Sequence, residues 1–210
     1  MPVATVGPVP ISNHPLGMIW RLDSLSDLGG AAPQVLGAPR VVDDSGGRAI
    51  EFDGWQDGLV APFLPLVGAT SFTVEMAFCP LPGGQREQRP LHLQESGSEN
   101  RLLIETRVAD AEHWFVDTFM RSGAASQTLY AESCLHLFGP WYHVALVYDN
   151  GVMRHYVNTA LELSGPLEFA PLSAGQTCVG VRLNRVSWFR GRIRTIRFTP
   201  RALLPAAFSL

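Results

Sequence analysis

The sequence predicts an all-β protein folded as an antiparallel two-sheet sandwich or jelly roll, and three observations carry that prediction. Glycine (20) and proline (16) break the chain into short apolar runs, the punctuation expected of strands joined by turns. No amphipathic segment longer than about ten residues keeps a clean 3.6-residue period. Within several runs, apolar and polar side chains alternate, as on a strand with one face against a core.

Taken in order, the expected strands are "MIWRLD" (18–23), "RAIEFD" (48–53), "GLVAP" (58–62), "TSFTVEMAFC" (70–79), "PLHLQE" (90–95) and "RLLIETRV" (101–108). They continue with "HWFVDTFMR" (113–121), "SQTLYAE" (126–132), "WYHVALVYD" (141–149), "VMRHYVN" (152–158), "QTCVGV" (176–181) and "SWFRGRIRTIRFT" (187–199). In "WYHVALVYD" both alternating sets are apolar or aromatic: Tyr142, Val144, Leu146 and Tyr148 in one, Trp141, His143, Ala145 and Val147 in the other. Such a strand is covered on both faces, or nearly so. "DNG", Asp149 to Gly151, supplies residues that tolerate positive φ in a tight hairpin turn, and "VMRHYVN" runs back beside it.

A chain of 210 residues, 46% hydrophobic, can bury a substantial core in one domain. The expected division is an extended, proline-rich arm over 1–16 (Pro2, Pro8, Pro10, Pro15) and a sandwich domain over 17–210. No run of about 18 apolar residues exists, so no membrane insertion is expected. The start, "MPVATVGPVPISNHPLG", has neither a basic region nor a continuous apolar one, so it is no secretory signal and the chain is expected to be cytoplasmic as synthesised. Three scattered cysteines, Cys79, Cys134 and Cys178, argue against a disulfide scaffold, and the six histidines show no zinc-site spacing. All sixteen basic residues are arginine and the net charge is -3. Seven of the arginines lie between Arg182 and Arg201, a local anion-facing patch rather than the wide basic surface that nucleic-acid binding needs.

Four stretches in order identify a family. "WYHVALVYDNGVMRHYVN" resembles a signature of laminin G-like domains with the concanavalin A-like jelly-roll fold; "GGRAIEFDGWQDGLVAP", "SFTVEMAFCP" and "FRGRIRTIRFTPRALLPAAF" resemble others, together spanning about 46–208. The resemblance implies lectin-like binding modules, glycosidases, polysaccharide lyases or adhesion domains; fold alone does not choose among them. Two departures stand out. The family's frequent I-D-E is Ile193, Arg194 and Thr195 here, and the glycine that usually closes Y-V-N-G is Thr159. Losing an acidic ligand disfavours the calcium that many relatives bind; Asp23, Asp43, Asp44 and Asp53 are the nearest candidates for it. No cofactor is expected.

Glucanases of this fold place two carboxylates about 5 Å apart across the sugar. The nearest stretch, "EFDGWQ", offers Glu51 and Asp53 but then Gln56, which cannot serve as a general acid. A lyase would need a cation to neutralise a uronate and a histidine or tyrosine to move protons. Alternation supplies such residues: His92 and Gln94 in one strand, Arg101, Glu105 and Arg107 in the next, and His113, Asp117 and Arg121 with Phe115 and Phe119 in the third. If these strands are neighbours, they form one polar surface, which reads either as a sugar site or as a solvated sheet face. Aromatic platforms are the other sugar signal: Trp55 beside Gln56 and Asp57, with Trp114, Tyr130 and Trp188 at strand ends or turns, whereas Trp20 and Trp141 read as core. Arg190, Arg192 and Arg194 alternate onto one face, a ladder able to grip carboxylate, sulfate or phosphate, or to blunt an edge.

The reading is a non-catalytic carbohydrate-binding or adhesion module. The site residues are Trp55, Gln56, Asp57, His92, Gln94, Glu105, Arg107, His113, Asp117, Arg121, Arg190, Arg192 and Arg194. Its partner is a glycan or glycoconjugate, with self-association or particle assembly assigned to the N-terminal arm. The alternatives are a structural or receptor-binding component of a phage-like particle, which leaves the cell without a signal, and an enzyme on an acidic glycan, lyase ahead of hydrolase.

Overall fold

A computed structural model describes residues 17–44 and 46–209. The expected arm over 1–16 lies outside the described residues. In chain order the strands are β1 (Met18–Arg21), β2 (Gln34–Leu36), β3 (Arg40–Asp44), β4 (Gly47–Asp53), β5 (Gly58–Ala61), β6 (Phe72–Pro80), β7 (Glu87–Glu95) and β8 (Arg101–Val108). Then come β9 (His113–Ser122), β10 (Ala125–Tyr130), β11 (His136–Leu137), β12 (Tyr142–Asp149), β13 (Val152–Val157), β14 (Ala160–Pro166), β15 (Gly175–Val179) and β16 (Arg190–Thr199). Among the described residues they form two eight-stranded antiparallel sheets, the sandwich that the sequence predicts.

Sheet A runs β14-β13-β12-β6-β16-β4-β3, and β1 pairs with the second half of β16. A bulge between Ile193 and Thr195 divides β16: Arg190 to Ile193 pair with β4, and Thr195 to Phe198 pair with β1. Sheet B runs β10-β9-β8-β7-β15-β5-β2, with β11 on β9. Between the sheets lie Trp20, Phe52, Phe72, Phe78, Trp114, Phe189 and Phe198, each essentially fully buried. Phe78 of sheet A meets Trp114 of sheet B edge to face at 5.3 Å, so the layers interlock through aromatic contacts. Each large apolar side chain so buried contributes about 1.5–3 kcal/mol.

Strand β12 is covered on both faces, as its composition requires. Val144, Leu146 and Tyr148 face the core, while Ala145 and Val147, with Tyr156, pack under Ala202 and Phe208 of the C-terminal segment. That segment is fastened across the outside of sheet A: Leu203 N–H donates to Thr73 Oγ1 (2.8 Å), Thr73 Oγ1 to the Arg201 carbonyl (3.0 Å), and Ser209 N–H to Glu75 Oε1 (2.9 Å).

Four strands depart from expectation. β2 has three residues and β11 two, too few for periodicity; β3 carries adjacent Asp43 and Asp44; and β14 contains Gly165 and Pro166, which read as turn. β14 is reached through Asn158 (φ 47) and Thr159 (φ 70), a second tight turn with Thr159 in the left-handed conformation that the family's glycine would take without strain. Two tryptophans exchange roles: Trp114 is core, and Trp141 is half-buried on the outside of sheet A under the Arg194 guanidinium, 4.0 Å from its ring.

Candidate functional site

Strands β7, β8, β9 and β10 are neighbours in sheet B, and their register collects the alternating polar residues on its outer face. Glu105 lies opposite Asp117, Leu103 opposite Phe119 and Arg101 opposite Arg121. On the other flank His92 lies opposite Leu103 and Gln94 opposite Arg101. Of the residues expected to meet, His92, Gln94, Glu105, Arg107, Asp117 and Arg121 therefore share one surface. His113 stands apart at the start of β9, where its amide and ring bond to Asp110 (2.8 and 2.9 Å).

The centre of this face is charged and largely closed to water. Arg107 directs Nε and Nη2 at Asp117 Oδ2 (2.8 and 2.7 Å) and also pairs with Glu87. Arg89 pairs with Glu105 and Glu87. Burial pushes the Glu105 carboxyl up to about 8; Arg89 opposes this and the facing Asp117 adds to it.

A loop over 180–188 crosses the same face and is tied to β7. The Leu183 amide donates to His92 Nδ1, Arg89 N–H to the Ser187 carbonyl and Gly180 N–H to the Pro90 carbonyl, each at 2.9 Å. The loop closes on itself through Arg185 N–H to the Arg182 carbonyl (2.9 Å), with Arg185 (φ 63) and Ser187 (φ 58) in left-handed backbone, a local strain that its fastenings must offset. Beneath it Val60, Cys178 and Val181 pack with Leu36, Leu183 and Trp188. Burial, then the charges of Arg182, Arg101 and Arg89, push the His92 imidazole down to about 3. Its Nδ1 accepts from Leu183, so the neutral ring carries its proton on Nε2, which is buried without a partner.

Three hollows follow this face. The central one, about 150 Å³, is lined by Arg89, Arg101, Leu103, Glu105, Arg107, Phe119, Thr128 and Arg182. One of about 640 Å³ lies beside it over Gln94, Gln176, Leu183 and the turn at 96–99. On the other side, one of about 170 Å³ shares Arg107 and is bordered by Phe115 and Tyr130. Tyr130 is 43% exposed, the open aromatic of the face.

The remaining candidates lie elsewhere. Trp55 is 60% exposed and Gln56 is exposed, but Asp57 is buried and turned inward, accepting from the amides of Ala38 (2.8 Å) and Asp53 (3.1 Å). Asp53 in turn accepts from the amides of Trp55, Gln56 and Asp57, so both carboxylates are spent shaping the turn. Arg190, Arg192 and Arg194 are on sheet A and find internal partners. Arg192 pairs with Glu51 (2.8 Å) and Asp44 (3.3 Å), Arg194 with Asp44 (3.7 Å), and Arg190 donates to the carbonyls of Pro82 and Asp53. The three alternate onto one face as expected, and the bulge shifts the phase of the strand only beyond Arg194. Of the calcium candidates, Asp44 and Asp53 have these partners, Asp43 is exposed beside Arg48 and Asp23 is half-buried after β1. Among the described residues no group of three or more His, Cys, Asp or Glu is arranged to hold a metal ion.

Sequence reasoning did not select Arg89, Arg182, Thr128 or Phe119 as site residues. Arg89 precedes Pro90 at a bulge between Gln88 and Leu91, where alternation fails. Arg182 is on a loop, where no period applies; its one signal was the density of arginines from 182 onward.

A model of the concanavalin A-like lectin/glucanases superfamily matches residues 53–207. No curated protein matches the chain. Among solved structures, domain 4 of AbnA, a GH43 extracellular arabinanase from Geobacillus stearothermophilus in complex with arabinotriose, is similar over 91% of this chain and 95% of that one (TM-score 0.68, 21% identity). The native heptameric SAP-like pentraxin from Limulus polyphemus is similar over 75% of this chain and 77% of that one (0.59, 18%). The binding domain of botulinum neurotoxin serotype G is similar over 90% of this chain and 48% of that one (0.65, 10%). At these identities the likeness is one of fold.

Proposed function

The chain belongs to the concanavalin A-like lectin/glucanases superfamily, and from that premise we propose that it is a non-catalytic carbohydrate-binding module. The observation that carries this reading is the row of hollows along the outer face of sheet B, where Tyr130, Gln94, Gln176 and Thr128 stand beside fixed guanidiniums. A pyranose needs a flat apolar surface for its C–H face and planar hydrogen-bonding groups for its hydroxyls, and this face supplies both. A similar arabinanase domain was solved with arabinotriose, which supports an oligosaccharide as the kind of ligand.

The carboxylates of the chain support binding over catalysis. Glu105 and Asp117 are buried, directly opposed and paired to arginines, whereas a retaining pair must flank a sugar. Glu51 holds Arg40 and Arg192, and Asp53 holds its own turn. The particle-component alternative rests on residues 1–16, outside the described region.

A glycan array followed by calorimetry on the hits tests the reading, with an absorbance assay for unsaturated products on the same sugars. Tyr130→Ala is expected to weaken binding about tenfold while leaving the melting temperature within a degree or two. Binding lost instead through Trp55→Ala would move the site to the 60% exposed tryptophan of the β4–β5 turn. An array without hits would remove the carbohydrate reading, and product formation would make the chain an enzyme.

A further inference from the structure

We propose that the central hollow of sheet B is an anion subsite that holds the carboxylate or sulfate group of an acidic sugar. The inference rests on the carbohydrate-binding reading and names the ligand class of that same face. Arg89, Arg101, Arg107 and Arg182 line the hollow against the single carboxyl of Glu105. Arg89 and Arg107 are committed to Glu105, Glu87 and Asp117. The other two are not so matched. Among the described residues Arg182 makes no side-chain ion pair or hydrogen bond. Arg101 reaches Glu99 through Nη1 (2.9 Å), but Glu99 is 66% exposed and the buried Nε of Arg101 has no acceptor.

The register sharpens the mismatch. Arg101 lies directly across from Arg121, whose Nε finds the Gly123 carbonyl (3.2 Å). Like charges on facing residues repel, and a buried donor without an acceptor is costly. An anion between Arg101 and Arg182 relieves both, and a guanidinium fork fits the paired oxygens of a carboxylate or sulfate. Phe119 supports the Arg101 guanidinium from below, its centroid 4.8 Å away. The backbone of Arg182 is fixed by the bonds that fasten the loop to β7, so the ordering that opposes binding there is confined to its side chain. A second unmatched donor, His92 Nε2–H, sits in the floor of the same face beneath the loop.

The size of the hollow favours a sugar's acidic group over a large polyanion. About 150 Å³ admits one anionic group, and the flanking hollows of about 640 and 170 Å³ lie where neighbouring neutral sugars of the chain would rest.

Calorimetry with two matched pairs tests this: a uronate oligosaccharide against its carboxyl-reduced form, and a sulfated oligosaccharide against its desulfated form, each at low and high salt. Wild type is expected to prefer an acidic member at least tenfold, with the preference shrinking as salt rises. Arg182→Gln and Arg101→Gln should each remove most of it, while Arg48→Gln, the same charge change at an exposed position on sheet A, should not. The pair that shows the preference assigns uronate or sulfate. Equal affinity within both pairs, unchanged by Arg182→Gln, overturns the anion subsite and leaves the carbohydrate reading standing. No binding to any of the four sugars also overturns it, and only an empty glycan array would take the wider reading with it.

Discussion

On the outside of sheet A, Arg192 and Arg194 lean on Asp44 and Glu51, and Arg197 on the buried Glu75. On the outside of sheet B, Arg101 faces Arg121 and Arg182 stands without a carboxylate. Both faces are rich in arginine, so charge content does not separate them. What separates them is the carboxylates: Arg192, Arg194 and Arg197 each have one as a partner, whereas among the described residues Arg121 and Arg182 have none. Sheet A is also strapped by the C-terminal segment through Phe208 and Ala202, whereas the 180–188 loop on sheet B leaves hollows on both its sides. Buried donors without acceptors occur on both faces, Nε and Nη2 of Arg194 and Nε of Arg197 on sheet A and Nε of Arg101 on sheet B, so the contrast lies in the carboxylates.

The depth of the carboxylates gives the largest test of that contrast. Asp117 is fully buried, and removing it strips Arg107 of its buried partner and leaves that guanidinium only Glu87, which is 46% exposed. Asp117→Ala is expected to cost about 3 kcal/mol or more. Glu51→Ala breaks pairs in which Arg40 and Arg192 are 74% and 33% exposed, so water can replace the lost partner; about 1 kcal/mol is expected. Urea unfolding of both variants reads the difference. Equal losses would mean that the two faces are held by the same kind of ion pair.

The next effect in size concerns acid. His92 is neutral when folded, with its imidazole pushed down to about 3, chiefly by burial and then by Arg182, Arg101 and Arg89. From the cross-strand side it has Leu103 and Cys178, neither of which offsets those cations. A folded value below the unfolded 6.5 means that the unfolded chain takes up the proton first. The stability this confers is complete above pH 6.5 and is lost as pH falls toward 3, by roughly 3 kcal/mol at pH 4. His92→Gln keeps an acceptor for the Leu183 amide and cannot titrate, so it should flatten this part of the acid slope. A slope unchanged from wild type would place the acid sensitivity elsewhere, with His155 next in line, pushed down to about 4 between the sheets.

How far the sequence foretold this follows from what alternation can carry. Strand β8 emerges with the bounds read from its pattern, and the meeting of His92, Glu105, Arg107 and Asp117 needed only that β7, β8 and β9 be neighbours. Alternation placed Arg190, Arg192 and Arg194 on one face, but it gives a face and not a partner, so neither their internal pairs nor the inward bonds of Asp57 were legible in it. The Ala38 amide that Asp57 serves lies 19 residues back, and the Asp44 that holds Arg192 lies 148 away. Arg89 and Arg182 escaped notice because a bulge and a loop have no period to violate. Composition and spacing thus locate the layers, while the unanswered charges emerge only when distant segments are brought together.

The smallest predicted effect lies on sheet A and should leave sheet B untouched. Two tight turns join β12 to β13 and β13 to β14. The first uses Asn150 (φ 48) and Gly151 (φ 77), the second Asn158 (φ 47) and Thr159 (φ 70). Both ask for positive φ at two successive residues, the demand that Asn-Gly meets and a β-branched side chain resists. Thr159 is exposed, so no packing compensates for its strain. Thr159→Gly is therefore expected to stabilise the protein by about 1 kcal/mol, the relief of left-handed strain less the added freedom of glycine in the unfolded chain. A higher urea midpoint with unchanged slope, and unaltered glycan affinity, would fit a turn that shapes the closed face alone. A change in affinity would mean that the edge of sheet A, through the β10–β14 contact, reaches the open face after all.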